Sequence, residues 1–143
     1  MKILIIDDSV FERRVLKSTI EKDGHEVIEA NDGQDGLEKA KSHMPHLVIS
    51  DILMPDADGF HFLRNIKKDK TLKSIPVVVY SSAYEGNEDR EIALKPGAVS
   101  YITKFEKPEE IWESVKTLID KIETQKEFAE SGLVEDDERF LKS

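Results

Sequence analysis

Lys2-Ile3-Leu4-Ile5-Ile6-Asp7-Asp8-Ser9 is the stretch on which the architecture turns. A short Ile-rich run closed by two carboxylates suits a strand buried on both faces of a parallel sheet, because such strands read as near-continuous apolar runs. Ser9 then opens a helix. With Glu12 three residues on, it has the form of a capping box, and Val10, Val15, Leu16 and Ile20 follow at near-helical spacing until Gly24 supplies a stop.

The rest of the chain repeats this strand-then-helix unit. His25 to Ala30, carrying Val27 and Ile28, reads as a second strand; Asp32 caps a helix with Leu37, Ala40 and Met44 on one face, ended by Pro45. Leu47 to Ser50 is a third buried strand ending at Asp51, and Gly59 through Lys68 predicts a helix with Phe60, Phe62, Leu63 and Ile66 mostly inward. Pro76 introduces Val77, Val78, Val79 and Tyr80, a β-branched run that ends as a fourth strand at Ser81 and Ser82. Residues 86 to 95 predict a more polar fourth helix closed by Pro96-Gly97, and Val99 to Thr103 a fifth strand ending at Lys104. Pro108, Glu109 and Glu110 suit the first turn of a last helix, whose stripe is Ile111, Val115, Leu118, Ile119 and Ile122.

Five strands alternating with five helices imply an α/β fold: a five-stranded open parallel sheet with helices on both faces and right-handed crossovers. The expected strand order is 2-1-3-4-5, the flavodoxin-like doubly wound arrangement. Residues 1–122 make up this domain, and residues 123–143 an acidic linker or amphipathic helical extension with Phe128, Leu133, Val134, Phe140 and Leu141 broken near Gly132.

Composition removes several classes of function. With no cysteine there is no disulfide framework, thiolate nucleophile or Cys-based zinc site, and His25, His43, His46 and His61 lack the pairing on one helical face that a zinc site needs. A net charge of −9 with no Lys/Arg cluster repels the backbone of nucleic acid, so no nucleic-acid contact is expected. No stretch approaches the roughly 20 apolar residues of a membrane span and the first residues are unlike a signal peptide, so a cytoplasmic protein without membrane contact is expected.

In an open α/β sheet, sites form outside the carboxyl ends of the strands, near the point where strand order reverses. Asp7 and Asp8 follow strand one, Asp51 ends strand three, Ser81 strand four and Lys104 strand five. Singly, each suits a helix cap or loop. Together, three carboxylates repel one another unless a cation compensates, and hard oxygen ligands without His or Cys favour Mg²⁺. A carboxylate oxygen of Asp51 can then attack phosphorus to form an acyl phosphate, with Lys104 and Mg²⁺ sharing the charge of the equatorial oxygens. The Ser81 hydroxyl is placed to bond one phosphoryl oxygen, which links the chemistry to movement of its loop.

With these residues in place the chain resembles the response regulator receiver family of two-component signalling across residues 1 to about 122. Asp7-Asp8-Ser9 resembles the acidic pair after strand one, and Asp51-Ile52-Leu53-Met54-Pro55 with Gly59 the acceptor segment. Ser81-Ser82 stands where Thr-Ala is usual, and Gly97-Ala98 with Tyr101 and Lys104 resembles the strand-five signature. The resemblance implies Asp51 as phosphoacceptor, Asp8 and Asp51 as direct Mg²⁺ ligands, Asp7 acting through water, the backbone carbonyl of Leu53 as a third ligand, and Ser81 with Tyr101 as a switch pair. It also implies a histidine kinase or phosphotransfer protein as partner and a homodimer face formed by helix four, strand five and helix five. One position departs from the pattern: Phe105 follows Lys104 where the family has a cis proline, and a non-proline cis bond costs about 3–4 kcal/mol.

Two other readings compete with the switch. An Asp-nucleophile phosphohydrolase resembling haloacid dehalogenases needs a second aspartate two residues after the nucleophile, where this chain has Leu53. A constitutive partner-binding module has no use for three repelling carboxylates. The expectation is therefore a switch that assists only its own phosphorylation and dephosphorylation, not an enzyme.

Overall fold

Five strands, β1 (Lys2–Ile6), β2 (Glu26–Ala30), β3 (Leu47–Asp51), β4 (Val77–Ser81) and β5 (Ser100–Thr103), form one sheet in the order β2-β1-β3-β4-β5. Every neighbouring pair is parallel, as the apolar runs require. The computed structural model of the protein describes residues 1–52, 54, 58–81, 97–103 and 107–130. Helices α1 (Val10–Lys22), α2 (Gly33–His43) and α3 (Asp58–Lys68) occupy the first three crossovers, and a C-terminal helix spans Pro108–Glu130. The predicted fourth helix at 86–95 and residues 131–143 lie outside the described residues. By internal contacts the chain divides into two compact units, Met1–Trp112, which holds the sheet, and Glu113–Ser143.

Strand alternation sorts the core into two layers. Leu4, Ile6, Val48, Val77 and Val79 join Phe62, Leu63 and Ile66 of α3 and Ala40 of α2 in one buried cluster. Ile3, Ile5, Ile49, Val78 and Tyr80 point to the opposite face and are equally buried. There Tyr80 lines a cavity of about 140 Å³ together with Phe11, Val15 and Leu16 of α1 and Ile111 of the C-terminal helix. Trp112, also buried, donates from Nε1 to Asp23 Oδ2 at 2.8 Å and meets His25 edge-on, which fixes the first turn of that helix beside the end of α1.

Helix ends follow the sequence, with informative exceptions. Ser9 caps α1, its hydroxyl accepting from the Glu12 N–H, and Asp32 caps α2 by accepting from Asp35. The Ser9 N–H, which a capping box would direct to the Glu12 side chain, donates instead to Asp7 Oδ1 at 2.9 Å. Gly24 (φ 86°) turns the chain out of α1. Two expected core residues face water: Val10 is 47% and Met44 45% exposed, the latter because it forms the left-handed C-cap of α2. Arg13, which is no part of the apolar stripe of α1, is nonetheless buried, at 7% exposed. No helix among the described residues is long and apolar enough to cross a membrane.

Arg13 is accommodated because Glu29 of β2 accepts from its Nε at 2.9 Å, while Lys17 reaches the other Glu29 oxygen at 3.2 Å. Burial works against the Glu29 charge, but the hydrogen bonds from Arg13 and Lys17 outweigh it and hold the carboxyl below its ordinary value of 4.5. The unfolded chain therefore takes up this proton first, so the stabilisation is complete above 4.5 and is lost as pH falls through the lower folded value. Glu29→Gln should melt below the wild type at pH 7, and the gap in Tm should close on acidification below about 4.5. Thermal melts of both proteins from pH 7 down to pH 3 measure it, and a gap constant with pH contradicts the assignment.

Candidate functional site

The parallel register brings the strand ends level. Ile6 pairs with Ser50 and Asp51 with Tyr80, so Asp7, one residue beyond β1, stands at the level of Asp51 and Tyr80 on adjacent strands. Asp7 and Asp51 are buried, Asp8 is exposed, and one carboxylate oxygen from each of the three lies within 4.8 Å of the others. Such a set of hard, anionic oxygens fits a small divalent cation that retains part of its water shell. Exposed Asp8 is free to adjust to an ion, whereas Asp7 is held on all sides.

That hold comes from four elements. The Asp7 N–H donates to Ala30 O of β2 (3.1 Å), its carbonyl accepts from Arg13 Nη1 of α1 (2.6 Å), Oδ1 accepts from the Ser9 N–H, and Oδ2 accepts from the Tyr80 hydroxyl. Burial, then the Asp7 and Asp51 charges, push the Tyr80 phenol far above its ordinary value, so it remains a donor. The sequence offered no signal for either residue as part of the site. Tyr80 read only as a strand residue, and Arg13 was given no role.

Gly59 explains why a glycine opens α3. A Cβ there would lie 2.5 Å from the Asp51 carbonyl oxygen and 2.7 Å from Ile52 Cα, so the helix could not approach the end of β3 with a side chain at this position. Ser81 ends β4 fully buried, and half-buried Tyr101 pairs with Val79 while Ser81 pairs with Thr103. Ser81 and Tyr101 therefore face the same side of the sheet, one pleat apart. Leu53, Lys104 and the Lys104-Phe105 bond lie outside the described residues.

Comparison with known proteins agrees with this layout. The family model described as response regulator receiver domain matches residues 3–116. The chemotaxis protein CheV3 of Helicobacter pylori is 37% identical over 131 residues, covering 84% of this chain and 41% of that protein. Protein PilH of Pseudomonas aeruginosa is 37% identical over 103 residues, 72% of this chain and 84% of PilH. The chain thus spans less than half of one relative and most of the other. Among solved structures, the chemotaxis response regulator CheY4 of Vibrio cholerae superposes with a TM-score of 0.75 at 28% identity, covering 81% of this chain and 96% of that one. A CheY-like receiver domain protein from Methanospirillum hungatei gives 0.77 at 27% identity, over 87% and 97% of the two chains. With its strand order, its cluster of Asp7, Asp8 and Asp51 and a family match running from β1 into the C-terminal helix, this chain belongs to the response regulator receiver domain family of two-component signalling.

Proposed function

We propose that this receiver domain is a phosphorylation-dependent switch that accepts a phosphoryl group on Asp51 from a histidine kinase or phosphotransfer protein and changes its partner preference in response. The observation that carries the reading is the convergence of three carboxylates within 4.8 Å at the carboxyl edge of the sheet. Asp8 and Asp51 would hold Mg²⁺, with Asp7 acting through water and the Leu53 carbonyl completing the set. The ion supplies positive charge that lets an anionic phosphoryl group approach an acidic pocket. An Asp51 carboxylate oxygen forms the new bond to phosphorus as the P–N bond to the donor imidazole breaks, its electron pair returning to the ring nitrogen. Lys104 would neutralise phosphoryl charge from the end of β5.

The Ser81 hydroxyl would then meet a phosphoryl oxygen, and Tyr101, on the same side of the sheet, would follow it. Phosphorylation on this view biases an equilibrium that exists without it. The names of CheV3, a chemotaxis protein, and CheY4, a chemotaxis response regulator, make a chemotaxis-type output part of the proposal.

The experiments are direct. Incubation with a small phosphodonor should add one phosphoryl group only when Mg²⁺ is present, and Asp51→Asn should abolish it, because an amide is not a phosphoryl nucleophile. Intact-protein and peptide mass spectrometry read the outcome; label on Asp7 or Asp8 with Asp51 intact contradicts the assignment. Asp8→Ala should raise Tm in metal-free buffer by relieving repulsion and remove the stabilisation that Mg²⁺ gives the wild type. A variant that melts no higher without Mg²⁺ speaks against a mutually repelling cluster. A phosphoryl mimic on Asp51 should shift the backbone resonances of Ser81 and Tyr101 together; unchanged resonances favour a constitutive binder.

A further inference from the structure

We infer that Tyr80 is a positioning residue of the acidic site, whose hydroxyl offsets part of the Asp7 charge in the metal-free protein and so weakens the hold of the site on Mg²⁺. The inference rests on the proposed metal site and deepens it. Tyr80 is 2% exposed and Asp7 fully buried, and the two meet from strands that are not neighbours, the phenol reaching over β3 to Asp7 Oδ2. Packing asks chiefly for the ring: Phe11, Val15, Leu16 and Ile111 on the helix face are apolar, and Glu12 of α1, which lines the same cavity, can only raise the phenol's pKa further and so keep it a donor. The hydroxyl is the part that packing does not require, and it is directed at a carboxylate of the cluster.

The direction of the effect follows from linkage. In the metal-free protein the Asp7 charge is opposed by two other carboxylates, and an O–H donor bound to it is at its most stabilising. A cation at the cluster withdraws electron density from Asp7, so the same hydrogen bond contributes less in the loaded protein. An interaction that is stronger in the free state than in the bound state opposes binding, and deleting it strengthens affinity. Ser9 N–H and Arg13 keep Asp7 in place when the phenol is removed, so Tyr80→Phe tests the hydroxyl rather than the placement of the carboxylate.

Calorimetric titration with Mg²⁺ alone, without phosphodonor, should give Tyr80→Phe a Kd about threefold to tenfold lower than the wild type. The variant should melt below the wild type in metal-free buffer, with a smaller deficit at saturating Mg²⁺. Leu16→Val, which trims the wall beside the Tyr80 ring, should lower Tm equally with and without Mg²⁺ and leave Kd unchanged. In the wild type, the Tyr80 ring carbon bearing the hydroxyl should shift on Mg²⁺ titration, a readout that needs no variant. An equal or weaker Mg²⁺ affinity of Tyr80→Phe, a deficit in Tm independent of Mg²⁺, or an unmoved Tyr80 resonance overturns the inference. A wild type that takes up no Mg²⁺ overturns the metal site itself, and the role of Tyr80 with it.

Discussion

The carboxylate of Asp7, fully buried at the end of β1, is the constraint around which the rest of the domain is arranged. An ionised group taken out of water must be hydrogen-bonded or paired. Here β2, α1, β4 and the Ser9 turn all contribute a partner to Asp7, through Ala30, Arg13, Tyr80 and the Ser9 N–H. Repulsion between Asp7 and Asp51, within 4.8 Å of each other, is roughly 3 kcal/mol at an effective dielectric of about 20. A hydrogen bond to a charged group contributes roughly 1.5–3 kcal/mol. These magnitudes are comparable, so the donors around Asp7 offset much of the repulsion that the neighbouring carboxylates exert on it.

Arg13 joins that constraint to the architecture. Its guanidinium bonds the Asp7 carbonyl on one side and Glu29 of β2 on the other, so one side chain ties α1 to the edge strand and to the acidic site together. Glu29 is approached by Lys17 as well, at 3.2 Å, and leaves the buried cation compensated. Removing one member of such a group strands the other, so Glu29 on the edge strand β2 is linked through Arg13 to Asp7 at the end of the neighbouring strand β1.

Close backbone approach on the other face completes the cradle. α3 lies so near the end of β3 that Gly59 has no room for a Cβ against the Asp51 carbonyl, and Gly36 of α2 would meet Ile6 Cδ1 at 2.4 Å. Both glycines sit at helix positions where the residue is otherwise unfavourable by about 1 kcal/mol, and both are beside strands whose next residue is a site carboxylate or the carboxylate itself. The helices are thus packed closely against the chain segments that carry the charge.

The strands, their order and the gathering of Asp7, Asp8 and Asp51 were legible in the chain alone, because apolar runs fix parallel strands and parallel strands end at one edge. Local chemistry also set the caps at Ser9 and Asp32 and the stop at Gly24. Periodicity erred where the chain placed polarity inside and apolar groups outside: it assigned Val10 and Met44 to the core and passed over Arg13, whose charge is tolerated only because Glu29 and the Asp7 carbonyl meet it in space. Tyr80 was hidden for the same reason. Its partner Asp7 is 73 residues away along the chain, and only the register of β1, β3 and β4 brings a phenol and a carboxylate to the same level and face of the sheet. Which residues carry charge was written in the sequence; which donors answer that charge was decided by the tertiary structure, since a buried hydrogen bond depends on distance in space and leaves no periodic trace along the chain.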